Sequence, residues 1–103
     1  MLCVKWAESA LYDVDIIIDY LQLQGLPAKK VEAVLDRILF LPKSFAMIPG
    51  MGRKGKVKGT REWREEKILC TLVYAVTLST QRIYILRVAH DDVKFSEQDR
   101  YTM

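Results

Sequence analysis

Four residues near the end of the first quarter of the chain, Gln24-Gly25-Leu26-Pro27, most constrain what it can fold into. Before them, Ala7, Ala10, Leu11, Val14, Ile17, Ile18 and Leu21 recur at helical spacing and predict a helix over residues 7–24. After them, Val31, Val34, Leu35, Ile38 and Leu39 predict a second helix, which Pro42 stops near residue 41. Gly25 can adopt the left-handed conformation that closes a helix. Pro27 suits the first turn of the next helix, where its missing N–H costs nothing. So short a link implies an antiparallel hairpin, and both apolar stripes then need a common partner to cover them.

The remaining sequence supplies a sheet. Leu2, Val4 and Trp6 alternate with Cys3 and Lys5, the two-residue period of a strand. Residues 42–59 read as a long irregular segment that holds Pro42, Pro49 and four of the five glycines. Residues 60–65 read as a strand, Glu66-Lys67 as a turn and residues 68–77 as a second strand rich in Val, Leu, Thr and Tyr. Ser79-Thr80-Gln81 is a turn into the strand 82–89, and the polar tail is expected to pack through Phe95 and fray afterwards. The result is one α+β domain over residues 1–103. It is a two-layer sandwich in the order β-α-α-β-β-β, with the helical hairpin packed on a small, mainly antiparallel sheet. The first helix also carries Tyr12, Ile16, Tyr20 and Leu23 beside its main stripe, so it should contact more than one surface. Glu8, Asp13, Asp15, Asp19 and Gln22 form its polar remainder.

Charge is unevenly placed. Between Gly52 and Arg61, five residues of ten are cationic and three are glycine, so the stretch reads as a flexible basic ribbon mounted on the scaffold. Arg53, Lys54, Lys56 and Lys58 suit a phosphate-bearing or acidic partner; the alternative is a solvated loop that only aids solubility. Residues 8–19 are the opposite, with four acids and no cation. Net charge is only +3, unlike a histone-like protein. Cys3 and Cys70 stand in no metal-ligand spacing, so neither a metal nor a cofactor is expected. No membrane-spanning run or signal peptide is visible, and a reducing cytoplasm is the default.

Three residues invite a catalytic reading. Arg61 stands at the mouth of a strand. Arg87 interrupts the apolar run Ile83-Tyr84-Ile85-Leu86-Arg87-Val88-Ala89, and must pair with an acid such as Glu62 on a neighbouring strand, snorkel, or serve a site. His90 is the single histidine, and at a strand end such a residue is more often structural than catalytic. Regular alternation sets Arg87 and His90 on opposite faces unless the strand bends.

These segments resemble the RelE/ParE superfamily of bacterial toxins. Trp6, Ala10, Asp13, Ile17 and Tyr20 are similar to its opening helix pattern. Gly59-Thr60-Arg61-Glu62, Val73-Tyr74-Ala75-Val76 and Ile85-Leu86-Arg87-Val88-Ala89-His90 are similar to its strand segments. The resemblance covers about residues 4–95. It implies the toxin of a type II toxin–antitoxin module, neutralised by a cognate antitoxin. The antitoxin's disordered segment would fold over the helical hairpin and the basic loop. Without antitoxin, self-association through the first helix is expected.

Two targets follow from the resemblance. A ParE-like member inhibits DNA gyrase and performs no reaction, and the opening helix and the I-L-R-V-x-H ending are nearer to this branch. A RelE-like member cleaves mRNA on the ribosome by attack of a ribose 2′-oxygen on phosphorus. In that case Arg61 and Arg87 would stabilise phosphate charge, His90 would match a histidine some members use, and Lys54, Lys56 and Lys58 would hold RNA. Against it, Asp91 and Asp92 follow His90 where such nucleases place a tyrosine, and Tyr101 is too far along to replace it. A nonenzymatic RNA-binding module is poorly supported, because the aromatics do not interleave with the cations. An inactive toxin remains a further alternative.

Overall fold

The computed structural model describes residues 2–93. Its elements are β1 (Cys3–Trp6), α1 (Glu8–Leu23), α2 (Ala28–Met47), β2 (Arg53–Lys54), β3 (Arg61–Glu65), a 3₁₀ turn (Glu66–Ile68), β4 (Cys70–Thr77) and β5 (Arg82–His90). The five strands form one sheet in the order β1-β5-β4-β3-β2. β1 runs parallel to β5, from Cys3 opposite Arg82 to Trp6 opposite Ile85, and the other pairs are antiparallel. A chain that starts beside its own last strand must cross the sheet to reach the far edge. The two helices make that crossing, which is the α+β arrangement the periodicity implied. Gly25, at φ +82°, makes the turn between them.

The core lies between helices and sheet. Ala10, Val14, Ile17 and Leu21 of α1 and Val31, Ile38, Leu41 and Phe45 of α2 cover Leu72, Tyr74, Ile83, Ile85 and Val88. Leu39, counted from its spacing as part of the buried face, is instead about half exposed, as is Leu11.

Two expected boundaries move. α2 does not stop at Pro42 but continues to Met47, with Pro42 itself fully buried. A proline inside a helix loses one hydrogen bond and crowds the preceding turn, at a cost of roughly 3 kcal/mol. Burying Leu41 and Phe45 offsets that, at roughly 1.5–3 kcal/mol for each large apolar side chain. Phe45 also stacks on Tyr74, ring centroids 4.2 Å apart and 10° from parallel. The irregular segment therefore begins only at Ile48. It then contains β2, so the basic stretch is a hairpin and not a free ribbon. The expected packing of Phe95 lies outside the described residues. Among those described, no helix is long and apolar enough to cross a membrane.

Candidate functional site

β5 carries a bulge. Tyr74 pairs with Ile85 and Val73 with Arg87, which leaves Leu86 without a partner on β4. The buried positions accordingly change phase, from Ile83, Ile85 and Arg87 to Val88 and His90. Helix α1 supplies the groups that the disrupted ladder lacks. Ser9 donates its hydroxyl to the Leu86 carbonyl (2.8 Å), and Asp13 Oδ2 accepts from the Val88 N–H (2.9 Å). Arg87 donates from Nε and Nη2 to the two oxygens of Asp13, at 2.7 and 2.8 Å. Asp13 is fully buried and Arg87 only 9% exposed. This is a bidentate pair that desolvation leaves viable only because the carboxylate has three donors.

The partner of Arg87 is therefore on the helix, not Glu62 on a strand, and Asp13 does not belong to the solvated face of α1. The sequence held a signal for it. Asp13 falls three residues after Ala10 and four before Ile17, inside the apolar stripe, just as Arg87 falls inside an apolar strand.

The bulge buries His90 as well, at 6% exposure, but gives it different neighbours. Its Nδ1 accepts from the Asp92 N–H (3.1 Å), and its ring lies 5.9 Å from that of Tyr20. Tyr20 is seven residues beyond Asp13 on α1, about 10 Å along the helix. His90 lines a recess of about 460 Å³ with Tyr20, Leu26, Val34 and Lys67, at the turn end of the helical hairpin.

Arg61 belongs to a third place. It lies on β3, two strand spacings or about 10 Å from β5. Its Nη1 donates to the Gly52 carbonyl at 2.7 Å. Tyr74 completes this anchor by accepting from the Gly52 N–H and donating to the Pro49 carbonyl, both at 2.9 Å. Burial pushes the Tyr74 phenol up, so its proton stays available to Pro49. Gly52 is required here, because a Cβ would stand 2.7 Å from the Tyr74 hydroxyl and 2.8 Å from the Glu62 carbonyl.

Above the anchor the hairpin is tied internally. Glu62 accepts from Arg53 Nη2 (3.2 Å) and from the Lys56 N–H (3.1 Å). The Gly55 N–H reaches the Thr60 carbonyl at 2.8 Å, and the Thr60 hydroxyl reaches the Val57 carbonyl at 2.7 Å. Arg53, Lys54, Lys56 and Lys58 remain exposed. Among the described residues, the three lysines make no ion pair within the chain. Lys54, Lys58 and Arg61 line a recess of about 360 Å³ together with Val57, Thr60 and Val76.

The sequence candidates thus occupy separate places: Arg87 under α1, His90 at the turn end, and Arg61 with the lysines on the hairpin. Asp91 is not a free carboxylate either. Arg64 holds it through two hydrogen bonds, 2.7 and 2.6 Å, and keeps its pKa below the ordinary value. Burial pushes the Cys70 thiol up to about 12, which makes it a poor nucleophile. Buried Glu65 pairs with Arg37 and accepts from the Trp63 indole at 3.3 Å. The described residues contain no group of three or more His, Cys, Asp or Glu side chains placed to hold a metal ion.

A helical hairpin over this sheet is the fold of the RelE/ParE superfamily of toxins. The isolated RelE toxin of E. coli superposes at a TM-score of 0.57 over 95% of this chain and 90% of that one, at 13% identity. The family model described as the ParE toxin of the type II toxin–antitoxin system parDE matches residues 4–95, and the chain belongs to that family. The chromosomal ParDE toxin–antitoxin system of P. aeruginosa gives a TM-score of 0.75 at 25% identity, over 87% of this chain and 96% of that one. The conserved hypothetical protein HP0894 of Helicobacter pylori gives 0.52 at 26% identity, over 92% and 100%. No curated protein sequence matches.

Proposed function

We propose that this toxin arrests growth as a ParE-like inhibitor of DNA gyrase and is neutralised by a cognate antitoxin. The observation that carries the reading is the burial of Arg87 against Asp13, with His90 buried separately at the turn end of the hairpin, in a chain that the ParE family model matches over residues 4–95. Two of the three groups a nuclease site would draw on, Arg87 and His90, are buried apart from each other. The similarity to a ParDE toxin–antitoxin system supports the antitoxin partner. In this reading Arg87 and His90 are structural. The exposed Arg53, Lys54, Lys56 and Lys58 contact an acidic surface of gyrase, its bound DNA or the antitoxin.

A second reading has one observation in its favour. The recess lined by Lys54, Lys58 and Arg61 suits a phosphate, as a RelE-like mRNA endonuclease would need.

The test runs both reactions on one preparation. The full chain, with and without antitoxin, is added to a gyrase supercoiling assay and to a ribosome-bound mRNA cleavage assay. Loss of supercoiling, restored by antitoxin, with intact mRNA is expected. Cut mRNA with unimpaired supercoiling overturns the proposal in favour of the second reading.

A further inference from the structure

Both helices lie on one face of the sheet, and the other face is not built like a surface that meets only water. Ile83 and Ile85 are fully buried beneath the helices, so Tyr84 between them points the opposite way. By the same alternation Arg82 and Leu86 of β5, Val73 and Ala75 of β4 and Lys5 of β1 point with it. None of Val73, Ala75, Tyr84 and Leu86 belongs to the core or packs against it. The solvated face of an antiparallel sheet normally carries polar residues at such positions.

Strand pairing sets two cations against Tyr84. Lys5 is its partner on β1, one strand spacing or about 5 Å away. Arg82 lies two residues earlier on β5, about 7 Å along the strand. Its Nη1 donates to the Tyr84 hydroxyl at 3.4 Å. Lys5 and Tyr84 are 79 residues apart in the chain, so only the fold brings them together. Both cations are exposed and, among the described residues, neither makes an ion pair within the chain. The acids that border this face are already taken. Glu62, opposite Val73, is held by Arg53, and Asp91 and Glu66 are held by Arg64. The free charge beside Tyr84 is therefore positive.

A flat ring between two free cations, over an apolar floor, has the parts that hold a nucleic-acid strand. A base stacks on the ring and the phosphates on either side meet the cations. The base must be unpaired to reach the ring, which excludes a duplex. An acidic peptide would satisfy the cations but has no group that needs a flat ring. The floor selects the sugar. Val73 and Ala75 pack on the apolar edge of a deoxyribose and offer no hydrogen-bond partner to a 2′-hydroxyl.

We propose that this face binds single-stranded DNA, with one base on Tyr84 and its flanking phosphates on Lys5 and Arg82. The site is separate from the recess of Lys54, Lys58 and Arg61, because Arg61 stands opposite Tyr74 and shares the covered face of the sheet. It stands whether the toxin acts on gyrase or on mRNA.

The test titrates the full chain into a fluorescent oligodeoxyuridine of about twelve residues and reads anisotropy, with circular dichroism as a control for folding. The wild type should bind it more tightly than the matching oligouridine, which differs only in its 2′-hydroxyls. Tyr84→Leu should weaken binding roughly tenfold or more, and Tyr84→Phe should retain it. Lys5→Ala and Arg82→Ala should each flatten the log–log salt dependence by about 0.7. The same oligonucleotide with iodinated uracil should cross-link on irradiation to the peptide that holds Tyr84. Absence of binding overturns the proposal, as does a folded Tyr84→Leu chain that binds like the wild type. RNA bound as tightly as DNA, or cross-links confined to residues 53–61, overturns it too. If Tyr84→Leu does not fold, Tyr84→Phe, the two salt slopes and the cross-link decide.

Discussion

The junction of α1 with β5 and the β2–β3 hairpin both concentrate charge, and they use it in opposite ways. At the junction Asp13 and Arg87 are withdrawn from water and bonded to each other, so their charges can do little outside the molecule. On the hairpin Lys54, Lys56 and Lys58 project into solvent above an anchor made by Gly52, Arg61 and Tyr74. The lesson is that residue type does not identify a working cation. Arg61 and Arg87 look equivalent as sequence candidates. In the fold, one braces the basic hairpin and the other bridges a helix to a bulged strand.

The contrast breaks most visibly at Asp13. Asp13→Ala strands Arg87 in a buried position without its carboxylate and frees the Val88 N–H. Unfolding by denaturant should show a loss of roughly 3–5 kcal/mol. A loss under about 1 kcal/mol would mean that the junction is more solvated than its burial indicates. Arg87→Met should cost less than Asp13→Ala, because an apolar side chain fits the site while a lone carboxylate can protonate or be hydrated.

Gly52→Ala tests the anchor of the hairpin. Its Cβ meets Tyr74 and the Glu62 backbone, so a loss of about 1–3 kcal/mol is expected, read as a lower denaturation midpoint. Faster amide exchange in residues 53–61 than in β5 would place the damage in the hairpin.

A smaller effect comes from the ion pair of Arg64 with Asp91. The folded pKa of Asp91 is depressed, so its contribution is fully present above the ordinary carboxylate pKa and is lost as pH falls through the lower folded value. Asp91→Asn should flatten the stability curve on that acid side and leave it unchanged near neutrality in shape. An unaltered acid limb would show that the pair is too exposed to contribute.

Replacing Lys54, Lys56 and Lys58 together by alanine should shift stability least, within about 0.5 kcal/mol. The same protein should bind its acidic or nucleic-acid partner more weakly, with a shallower salt dependence than the wild type. Equal affinity and equal salt dependence would reduce the hairpin to a solvated loop.

Much of this organisation was legible before any coordinates. The turn at Gly25 and Pro27, the helical periods on either side and the alternating strands require only local rules, and β1, α1, the start of α2, β3 and β5 formed within a residue or two of where their periods placed them. Local rules failed where distant partners outweighed them. Pro42 sits inside a helix because Phe45, three residues later, reaches Tyr74 across the core. The basic stretch is ordered because Tyr74 and Glu62, distant in the chain or facing it from β3, hold its backbone. Asp13 is buried because a bulge in β5, 74 residues away, exposes an N–H and an arginine to that face of α1.

What the sequence determined by itself was the two helices, four of the five strands, their order and the family, because these depend on residues near one another in the chain. Which cations face water was decided only by the tertiary structure. A buried charge needs a partner, and that partner can come from any element the fold brings within reach.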